Sequence, residues 1–289
     1  MENAVNVQTQ KDKYYQVKMS TEDFNRLSTY IYNELGIKMP VEKKLMLQSR
    51  LLKRLSELKI DNFKQYLDYV FSKEGKVQEL VMLTDLVTTN KTDFFREPAH
   101  FEYLNETVLP QLTSINRRRK IKIWSAGCSS GEEPYTLAIT LNEFLQDMPG
   151  FDFHITATDL AMRMLKKAAM AIYPIDRVAN IPLSIKRKYF LKSKDQKTPT
   201  VRVVQELRKK ITFQQMNFMN HSYPLDDDYD IIFCRNVIIY FDRTTQESVI
   251  GKQLRHLKSG GYYFLGHSES ITSMDLPLNT IRPTISQKI

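Results

Sequence analysis

The fold is decided by the stretch KIWSAGCSSGEEPY, residues Lys122–Tyr135. It has the pattern of a buried strand that runs into a turn of small residues and then into the start of a helix. Gly127 and Gly131 supply backbone conformations that other residues adopt only at a cost, and a turn without bulk lets a ligand approach the backbone. Pro134 suits the first turn of the helix that follows. The stretch therefore indicates a cradle for a nucleotide-like cofactor.

The composition is that of a globular protein, with 42% hydrophobic and 26% charged residues in a chain of 289. This length suits one large domain and a smaller one. Cys128 and Cys234 both lie in apolar, strand-like surroundings, which favours a reducing compartment over a disulfide framework. No apolar run approaches the roughly 20 residues that span a bilayer, and Met1–Lys13 is too polar to be a secretion signal, so we expect a cytoplasmic protein.

The first third of the chain shows helical patterns without a strand. Residues 1–18 are polar and aperiodic and are predicted to be a disordered arm, whereas residues 19–87 are predicted to form a helical domain. Its first helix begins with a capping box between Ser20 and Asp23 and ends before Gly36. The other helices are predicted over residues 40–58, 61–71 and 76–86.

The second of these helices carries basic residues on one face. The apolar stripe predicted to face the core consists of Val41, Leu45, Leu52 and Leu55. A step of about 100° per residue places on the opposite face Lys43, Arg50 and Arg54, with Lys44 and Lys53 beside them. A solvated outer face is the common explanation of such a pattern, and a docking surface for an acidic helix or for phosphate groups is the alternative. The formal net charge of +9 agrees with either.

Strands and helices alternate after a polar linker that we predict over residues 88–120 and that contains a helix over 99–109. The strands are predicted over residues 121–125, 153–158, 211–215, 229–234 and 262–266, and the helices over 135–144, 161–169, 184–189 and 244–257. This alternation predicts an open, mostly parallel sheet that binds ligands at the carboxyl ends of its strands. Residues 173–210 interrupt the alternation and contain the β-like Thr200–Val204, which predicts a small inserted antiparallel subdomain.

The turn after the first strand narrows the choice of ligand. It lacks the Lys-Ser/Thr ending of a phosphate-binding loop and is not GxGxxG, which disfavours a nucleoside triphosphate and a dinucleotide. Asp159 ends the second strand, where a carboxylate can accept both ribose hydroxyls of an adenosine. Glu132 and Glu133 begin a helix, where the dipole favours carboxylates, and acidic groups there also suit a cationic cofactor. S-adenosylmethionine fits, because it contains an adenosine and a sulfonium.

Polar residues also follow the later strands. Arg235, Asn236 and Tyr240 come after the strand at 229–234, and the run Gly266–Glu269 comes after the strand at 262–266. We interpret His267 as a structural or substrate-rim residue, because no metal-binding partners occur at ligand spacing along the sequence. The sequence therefore predicts no metal.

Several of these segments together resemble the CheR family, the chemotaxis receptor methyltransferases that methylate receptor glutamates with S-adenosylmethionine. They occur in family order and are Thr88–Glu97, Trp124–Tyr135, Ala157–Asp159, Phe233–Asp242 and Gly266–Glu269. The resemblance implies an α/β fold: a Rossmann-like methyltransferase domain over residues 121–289, with the small antiparallel β subdomain inserted at about 173–210. An all-α N-terminal domain precedes it, and residues 88–120 become a linker and cofactor-covering segment.

The resemblance also implies site residues. Together with Gly127 from the turn, the cofactor contacts are Asn90, Thr92, Arg96, Glu132, Asp159, Asn217, Phe218, Arg235 and Asn236. Arg96 and Tyr240 are implied to act at the reacting centre. The residues implied to bind the methylated receptor helix are Lys43, Lys44, Arg50, Lys53 and Arg54, which makes docking the preferred explanation of the basic face. A glutamate is already ionised near pH 7, so the reaction needs positioning and water exclusion rather than a general base.

The implied partner is the cytoplasmic helical domain of chemotaxis receptors, to which a monomeric enzyme is recruited in membrane arrays. Two features depart from the family. Leu160-Ala161 stands where a second acidic residue is common, which leaves ribose binding to Asp159 alone, and residues 192–200 lack the glycines of members that dock on a C-terminal receptor pentapeptide. We therefore predict no dependence on that peptide.

Two other functions are compatible with parts of the sequence. A nucleic-acid methyltransferase would explain the basic helix, but no base-stacking aromatic residues accompany it, so stable nucleic-acid binding is not expected. An inactive cofactor-binding scaffold in a signalling array is the second alternative, and the presence of Arg96 and Tyr240 argues against it.

Overall fold

The computed structural model describes residues 16–115, 119–195, 197–226 and 228–289. Most of the arm predicted over residues 1–18 and a short part of the linker predicted over residues 88–120 lie outside the described residues. Contacts divide the chain into two units, and each is described by itself. The first consists of Met1–Thr89 with Tyr240–Asp242, and the second of Asn90–Ile239 with Arg243–Ile289.

The first unit is helical, as predicted. Its helices are α1 (Thr21–Leu35), α2 (Lys44–Leu58, preceded by the 3-10 turn Val41–Lys43), α3 (Phe63–Phe71), α4 (Lys73–Gln78) and α5 (Leu80–Val87). The predicted capping box of α1 is confirmed, since the backbone N–H of Asp23 donates to Ser20 Oγ at 2.9 Å. Gly36 ends this helix in the left-handed conformation with a φ of 70°.

The buried face of α2 differs from the predicted one. Val41 and Leu45 were predicted to face the core, but they are 61% and 75% exposed. The fully buried residues of this helix are Leu47, Leu51 and Leu55. The sequence of α2 contains two neighbouring apolar stripes, and packing against α5 decides between them. In the predicted stripe only Leu55 is buried, because Leu55 belongs to both stripes.

Two arginines of the predicted basic face form bonds inside the first unit. Arg54 donates to both carboxylate oxygens of Glu79, at 2.7 and 2.6 Å, and the hydroxyl of Tyr66 donates to the same group at 3.0 Å. Glu79 is 1% exposed, so this pairing compensates a buried charge. Arg50 donates to the consecutive carbonyls of Leu86, Val87 and Thr88. Both arginines thus have a structural role, and their contact with a substrate stays a prediction.

The second unit contains two sheets. Its strands are β1 (Lys120–Ala126), β2 (Asp152–Asp159), β3 (Ile172–Pro174), β4 (Phe190–Lys192), β5 (Thr200–Val203), β6 (Ile211–Gln215), β7 (Tyr229–Cys234), β8 (Leu257–Leu265), β9 (Leu278–Arg282) and β10 (Ile285–Lys288). The large sheet has the order β6-β2-β1-β7-β8-β10-β9, in which the first five strands are parallel and the last two form an antiparallel hairpin. The five predicted strands are confirmed, and the hairpin β9–β10 was not predicted.

The small sheet has the antiparallel order β3-β5-β4, so the inserted β subdomain is confirmed. The helices of the second unit are α6 (Pro98–Tyr103), α7 (Leu109–Ile115), α8 (Glu132–Leu145), α9 (Met162–Met170), α10 (Leu183–Tyr189), α11 (Gln205–Arg208) and α12 (Arg243–Arg255), with a π-helical turn at Leu104–Val108 between α6 and α7. Among the described residues, no helix is both long enough and apolar enough to cross a membrane.

The carboxyl ends of the parallel strands lie side by side. Ala126 at the end of β1 pairs with Thr158, and Asp159 at the end of β2 pairs with Gln215. The end of β7 pairs with the end of β8. Side chains that follow these strands therefore collect at one edge of the sheet, where open α/β sheets bind their ligands.

Candidate active site

The turn between β1 and α8 is held by the neighbouring strand. The backbone N–H groups of Gly127 and Cys128 donate to the carbonyl of Thr158 at 2.8 and 2.9 Å. Gly127 has a φ of 90°, and a Cβ there would lie 2.3 Å from Cγ2 of Val237. Glycine is therefore required by the backbone conformation and by packing against the segment after β7. The predicted contact of Gly127 with the cofactor stays a prediction.

Asp159 connects the turn to the loop after β2. Its Oδ2 accepts the N–H of Ser129 at 2.7 Å, its Oδ1 accepts the N–H of Ala161 at 2.8 Å, and the residue is 8% exposed. A carboxylate offers about four acceptor positions, so these bonds are compatible with the predicted contact to ribose. The carboxylate thus has a structural task that the sequence did not show.

Glu132 forms an ion pair with an arginine of the inserted subdomain. It is 2% exposed, and its Oε1 accepts from Arg177 at 2.6 Å while its Oε2 accepts from the hydroxyl of Ser130 at 2.6 Å. Arg177 also pairs with Asp93 at 2.9 Å and donates to the carbonyl of Thr92. No motif in the sequence identifies Arg177 as a site residue, because Arg177 reaches this turn only when the inserted subdomain folds.

Hydrogen bonds to its backbone hold the cofactor-covering segment in place. The hydroxyl of Ser129 donates to the carbonyl of Asn90 at 2.9 Å, and the N–H of Phe95 donates to Thr136 Oγ1 in α8 at 3.1 Å. Phe95 and Glu97 are left-handed, with φ values of 53° and 58°, so Arg96 lies between two unusual backbone conformations. The segment is irregular, as predicted, and its fixed backbone positions Arg96.

Arg235 is a buried cation with three partners. Its side chain is 2% exposed, lies 3.2 Å from Glu97 Oε2 and 3.5 Å from Glu133 Oε2, and donates to the carbonyl of Arg96. Burial acts to raise the pKa of Glu97, but the charge of Arg235 leaves that pKa below its ordinary value. Burial raises the pKa of Glu133, against the opposing charge of Arg235. Arg235 thus positions Arg96, and its own contact with the cofactor stays a prediction.

Glu269 organises the turn after β7. Its carboxylate accepts the backbone N–H groups of Gly266, Asn236, Val237 and Ile238 at 2.6, 2.8, 2.8 and 2.9 Å. The side chain is buried, and burial raises its pKa although these four bonds oppose the shift. Asn236, with a φ of 59°, is held in place by this carboxylate. The sequence showed Glu269 in a polar run but not this function.

The prediction of no metal relied on spacing along the sequence and stays a prediction, but the fold brings possible ligands of His267 together. His267, His100 and Glu97 lie together in the second unit, with possible ligand atoms all within 4.8 Å of one another. Burial lowers the pKa of His100 to about 4, so its imidazole is neutral at pH 7. Residues far apart in the chain meet here because the segment before α6 lies against the turn after β8.

The remaining predicted residues occupy two places. Asn217 and Phe218 follow β6, where the Oδ1 of Asn217 accepts the N–H of Met219 at 2.9 Å and Phe218 packs against Trp124. Tyr240 belongs to the first unit, where its carbonyl accepts the N–H of Lys38 at 2.8 Å and its ring lies 5.6 Å from the Lys43 ammonium. The structure therefore brings a predicted reacting residue together with a predicted substrate-binding residue.

Comparison with known protein families shows which family this chain belongs to. Residues 22–88 match the model described as CheR methyltransferase, all-alpha domain, and residues 90–285 match CheR methyltransferase, SAM binding domain. The chain belongs to the CheR methyltransferase family. The resemblance drawn from the sequence motifs is thus confirmed, and S-adenosylmethionine is the cofactor of this CheR chain.

Curated relatives span nearly the whole CheR chain. A chemotaxis protein methyltransferase of Borreliella burgdorferi is 39% identical over 259 residues, which cover 88% of this chain and 90% of the relative. Chemotaxis protein methyltransferase 2 of Pseudomonas aeruginosa is 35% identical, and the match covers 91% of this chain and 92% of the relative. A chemotaxis protein methyltransferase of Escherichia coli is also 35% identical, and the match covers 89% of this chain and 87% of the relative. The activity class is therefore S-adenosylmethionine-dependent methyl transfer in chemotaxis.

The residues at the CheR turn fit this cofactor. Buried Asp159 and Glu132 line the turn and its helix start, and acidic groups suit the ribose hydroxyls and the positive charges of S-adenosylmethionine. Asn90 and Thr92 are fixed next to the same turn by their carbonyls. Four of the predicted cofactor residues thus lie around one turn of the second unit, namely Asn90, Thr92, Glu132 and Asp159.

Asp159→Asn is expected to weaken binding of S-adenosylhomocysteine about tenfold to a hundredfold, because a hydrogen bond to a charged group contributes about 1.5–3 kcal/mol. Asparagine keeps only one of the two oxygens that accept backbone N–H groups, so the Tm of the variant is measured together with the affinity. Calorimetric titration measures the affinity, and the exposed Asp147→Asn serves as the control for loss of one negative charge. Unchanged affinity in Asp159→Asn would remove the predicted ribose contact.

Proposed function

We propose that this protein transfers the methyl group of S-adenosylmethionine to glutamate side chains of chemotaxis receptors, giving glutamyl methyl esters and S-adenosylhomocysteine. A carboxylate oxygen of the receptor donates its electron pair to the methyl carbon, and the bond from that carbon to sulfur breaks with its pair left on sulfur. No proton moves, because the glutamate is ionised near pH 7. The relatives named chemotaxis protein methyltransferase support this substrate class.

One observation carries the proposal: Lys43 lies beside the ring of Tyr240, so the predicted substrate-binding face and a predicted reacting residue meet in the first unit. A receptor helix with clustered glutamates is anionic and would be attracted by such a surface. Lys43 and Lys44 are half-buried at the start of α2, and Lys53 has a side chain that is 86% exposed. These lysines, rather than Arg50 and Arg54, are the better candidates for contact with the receptor.

The residues of the second unit would orient the reactants. S-adenosylmethionine supplies an electrophilic methyl group on a sulfonium when it is bound. Arg96 would hold the receptor carboxylate through charge-assisted hydrogen bonds. The bond that Arg235 donates to the carbonyl of Arg96, and the bond that the N–H of Phe95 donates to Thr136 Oγ1, would keep the guanidinium in place. Positioning and exclusion of water then account for the rate.

The test is methyl transfer from labelled S-adenosylmethionine to membranes that contain the receptors of the same organism. We expect label in receptor bands that is released as methanol by mild alkali, as a methyl ester requires. Label that resists alkali, or that enters nucleic acid, would refute the proposed substrate. Receptor variants with glutamine in place of glutamate at candidate sites serve as controls.

We further propose that the enzyme acts as a cytoplasmic monomer, recruited to receptor arrays without a C-terminal pentapeptide. The connection between β4 and β5 has no glycine in residues 192–200, and Asp195 accepts bonds from Lys197 and Thr198 within it. Receptors truncated by their last five residues should therefore be methylated as fast as intact ones. Slow methylation of the truncated receptors alone would reject the tether proposal and leave the glutamate proposal standing.

Reversing the charge of Lys43, Lys44 and Lys53 to glutamate together should lower kcat/KM for receptor methylation at least about tenfold, because charges at an interface steer association. The affinity for S-adenosylhomocysteine should not change. The triple variant Lys64→Glu, Lys73→Glu and Lys76→Glu makes the same charge change at exposed positions of the same unit. Equal losses in both triple variants would show a general charge effect and reject the docking surface.

A further inference from the structure

Glu97, His100 and His267 form a cluster of possible metal ligands to which the proposed methyl transfer assigns no direct role. His100 Nδ1 lies 3.4 Å from Glu97 Oε2, and His267 Nε2 lies 3.9 Å from the same oxygen. Ligands bound to zinc at about 2.0–2.1 Å in a tetrahedral site lie about 3.4 Å from one another. The three ligand atoms lie within 4.8 Å of one another, and His267, which is 58% exposed in its side chain, can move to bring them to that spacing.

The hydroxyl of Thr284 holds one nitrogen of the His100 ring. Thr284 Oγ1 lies 2.8 Å from His100 Nε2 and donates to the carbonyl of Pro283 at 2.6 Å. This contact engages Nε2 and leaves Nδ1 as the nitrogen that faces Glu97. Such an outer contact orients many metal-binding histidines and leaves the other nitrogen bare for the metal.

Nδ1 of His100 faces the carboxylate of Glu97. Nδ1 is buried and has no hydrogen-bond partner, and the side chain of His100 is 3% exposed. A buried nitrogen that lies 3.4 Å from a carboxylate oxygen without a hydrogen bond is unfavourable, and a metal ion bound by both groups would compensate it. This buried, unpartnered nitrogen is the independent observation that points to a ligand.

The neighbouring cation does not neutralise the cluster. Arg235 lies 3.2 Å from Glu97 Oε2 but also 3.5 Å from Glu133 Oε2, so its charge is divided between two carboxylates. The other oxygen of Glu97 accepts from Asn236 Nδ2 at 3.4 Å and from the N–H of His267 at 3.3 Å. The carboxylate is thus held with one oxygen directed at both imidazoles.

We propose that Glu97, His100 and His267 bind a divalent transition-metal ion, with Zn²⁺ the ion that best suits two imidazoles and one carboxylate. Water would complete the coordination, as in other three-ligand zinc sites. The ion would join the backbone before α6 to the turn after β8. Because Glu97 also contacts Arg235 and Asn236, the ion would stabilise the same neighbourhood that positions Arg96.

The experiment is calorimetric titration of the untagged, chelator-treated full chain with ZnCl₂, together with measurement of Tm with and without the ion. We expect saturable binding of one ion and a higher Tm with zinc, because an ion that binds the folded state alone stabilises it. His267→Ala should weaken the affinity at least about tenfold and abolish the rise in Tm. His221→Ala, which removes another exposed histidine of the same unit, should behave like the parent protein.

The Tm of the metal-free variants checks that they fold, and His267→Gln replaces His267→Ala should the latter be unstable. Absence of saturable zinc binding to the parent protein would overturn the proposal. Equal zinc affinity in the parent and the His267 variants would overturn it as well, because the ion would then bind elsewhere.

Discussion

Glu269→Ala is expected to lower the free energy of unfolding by about 5 kcal/mol, or to prevent folding of the second unit. The substitution removes the acceptor of four backbone N–H groups in the segments after β7 and β8. A buried donor left without a partner costs about 1–3 kcal/mol. A Cβ at Gly266 would lie 2.5 Å from Asn236 Nδ2, so the two segments that this carboxylate joins are closely packed.

Urea unfolding of the purified variants measures this loss. Asp275→Ala removes an exposed acidic side chain from the loop that follows, and we expect a change within about 0.5 kcal/mol. Glu269→Gln keeps one acceptor oxygen and should fall between the parent and Glu269→Ala. A loss below about 1 kcal/mol in Glu269→Ala would mean that the four amide groups find other partners.

The large sheet could be predicted from the sequence because its strands are marked by apolar runs. β7 is buried along its whole length, and β1 and β2 are buried in their second halves. The hairpin strand β9 is almost entirely exposed, so no apolar run marks it. It is a strand only because β10 pairs with it and with β8. Strands that depend on their neighbours in this way are not visible in local sequence.

The buried face of α2 could not be chosen from periodicity alone. Leu45 and Leu55 were assigned to one stripe, but Leu45 is exposed and Leu55 is buried. Each stripe satisfies a helical repeat, and the choice depends on the shape of the partner helices. Likewise Arg54 matches an outer basic face by spacing, yet its charge pairs with buried Glu79 from the segment before α5.

The candidate site was predictable where its residues follow strands. Asp159 ends β2, and Asn217 and Arg235 follow the ends of β6 and β7, so the parallel sheet brings them to one edge. The ion pair of Glu132 with Arg177 was not predictable, since the insert that carries Arg177 has no motif at that position. The same holds for Glu97 and His267, which meet only through the packing of α6 near β8.

Arg96→Ala is expected to lower receptor methylation by about a hundredfold to a thousandfold, equal to about 2.7–4 kcal/mol of transition-state stabilisation. This guanidinium is half-buried, donates to the carbonyl of Lys91 at 3.0 Å, and has its own carbonyl bound by Arg235. Under the proposed function, Arg96 holds the attacking carboxylate, and misplacement of that group removes most of the advantage of positioning. Initial rates with labelled S-adenosylmethionine and receptor membranes measure the effect.

The loss in Arg96→Ala should exceed any loss of affinity for S-adenosylhomocysteine, which calorimetry measures separately. Arg96→Lys keeps the charge but lacks the planar fork of donors, so we expect recovery of only a small part of the rate. Lys91→Ala removes an exposed positive charge from the same segment while its carbonyl still binds Arg96, and it should have nearly the parental rate. Normal turnover in Arg96→Ala would exclude Arg96 from the reacting centre. Equal losses of rate and of cofactor affinity would instead make Arg96 a residue that binds the cofactor alone.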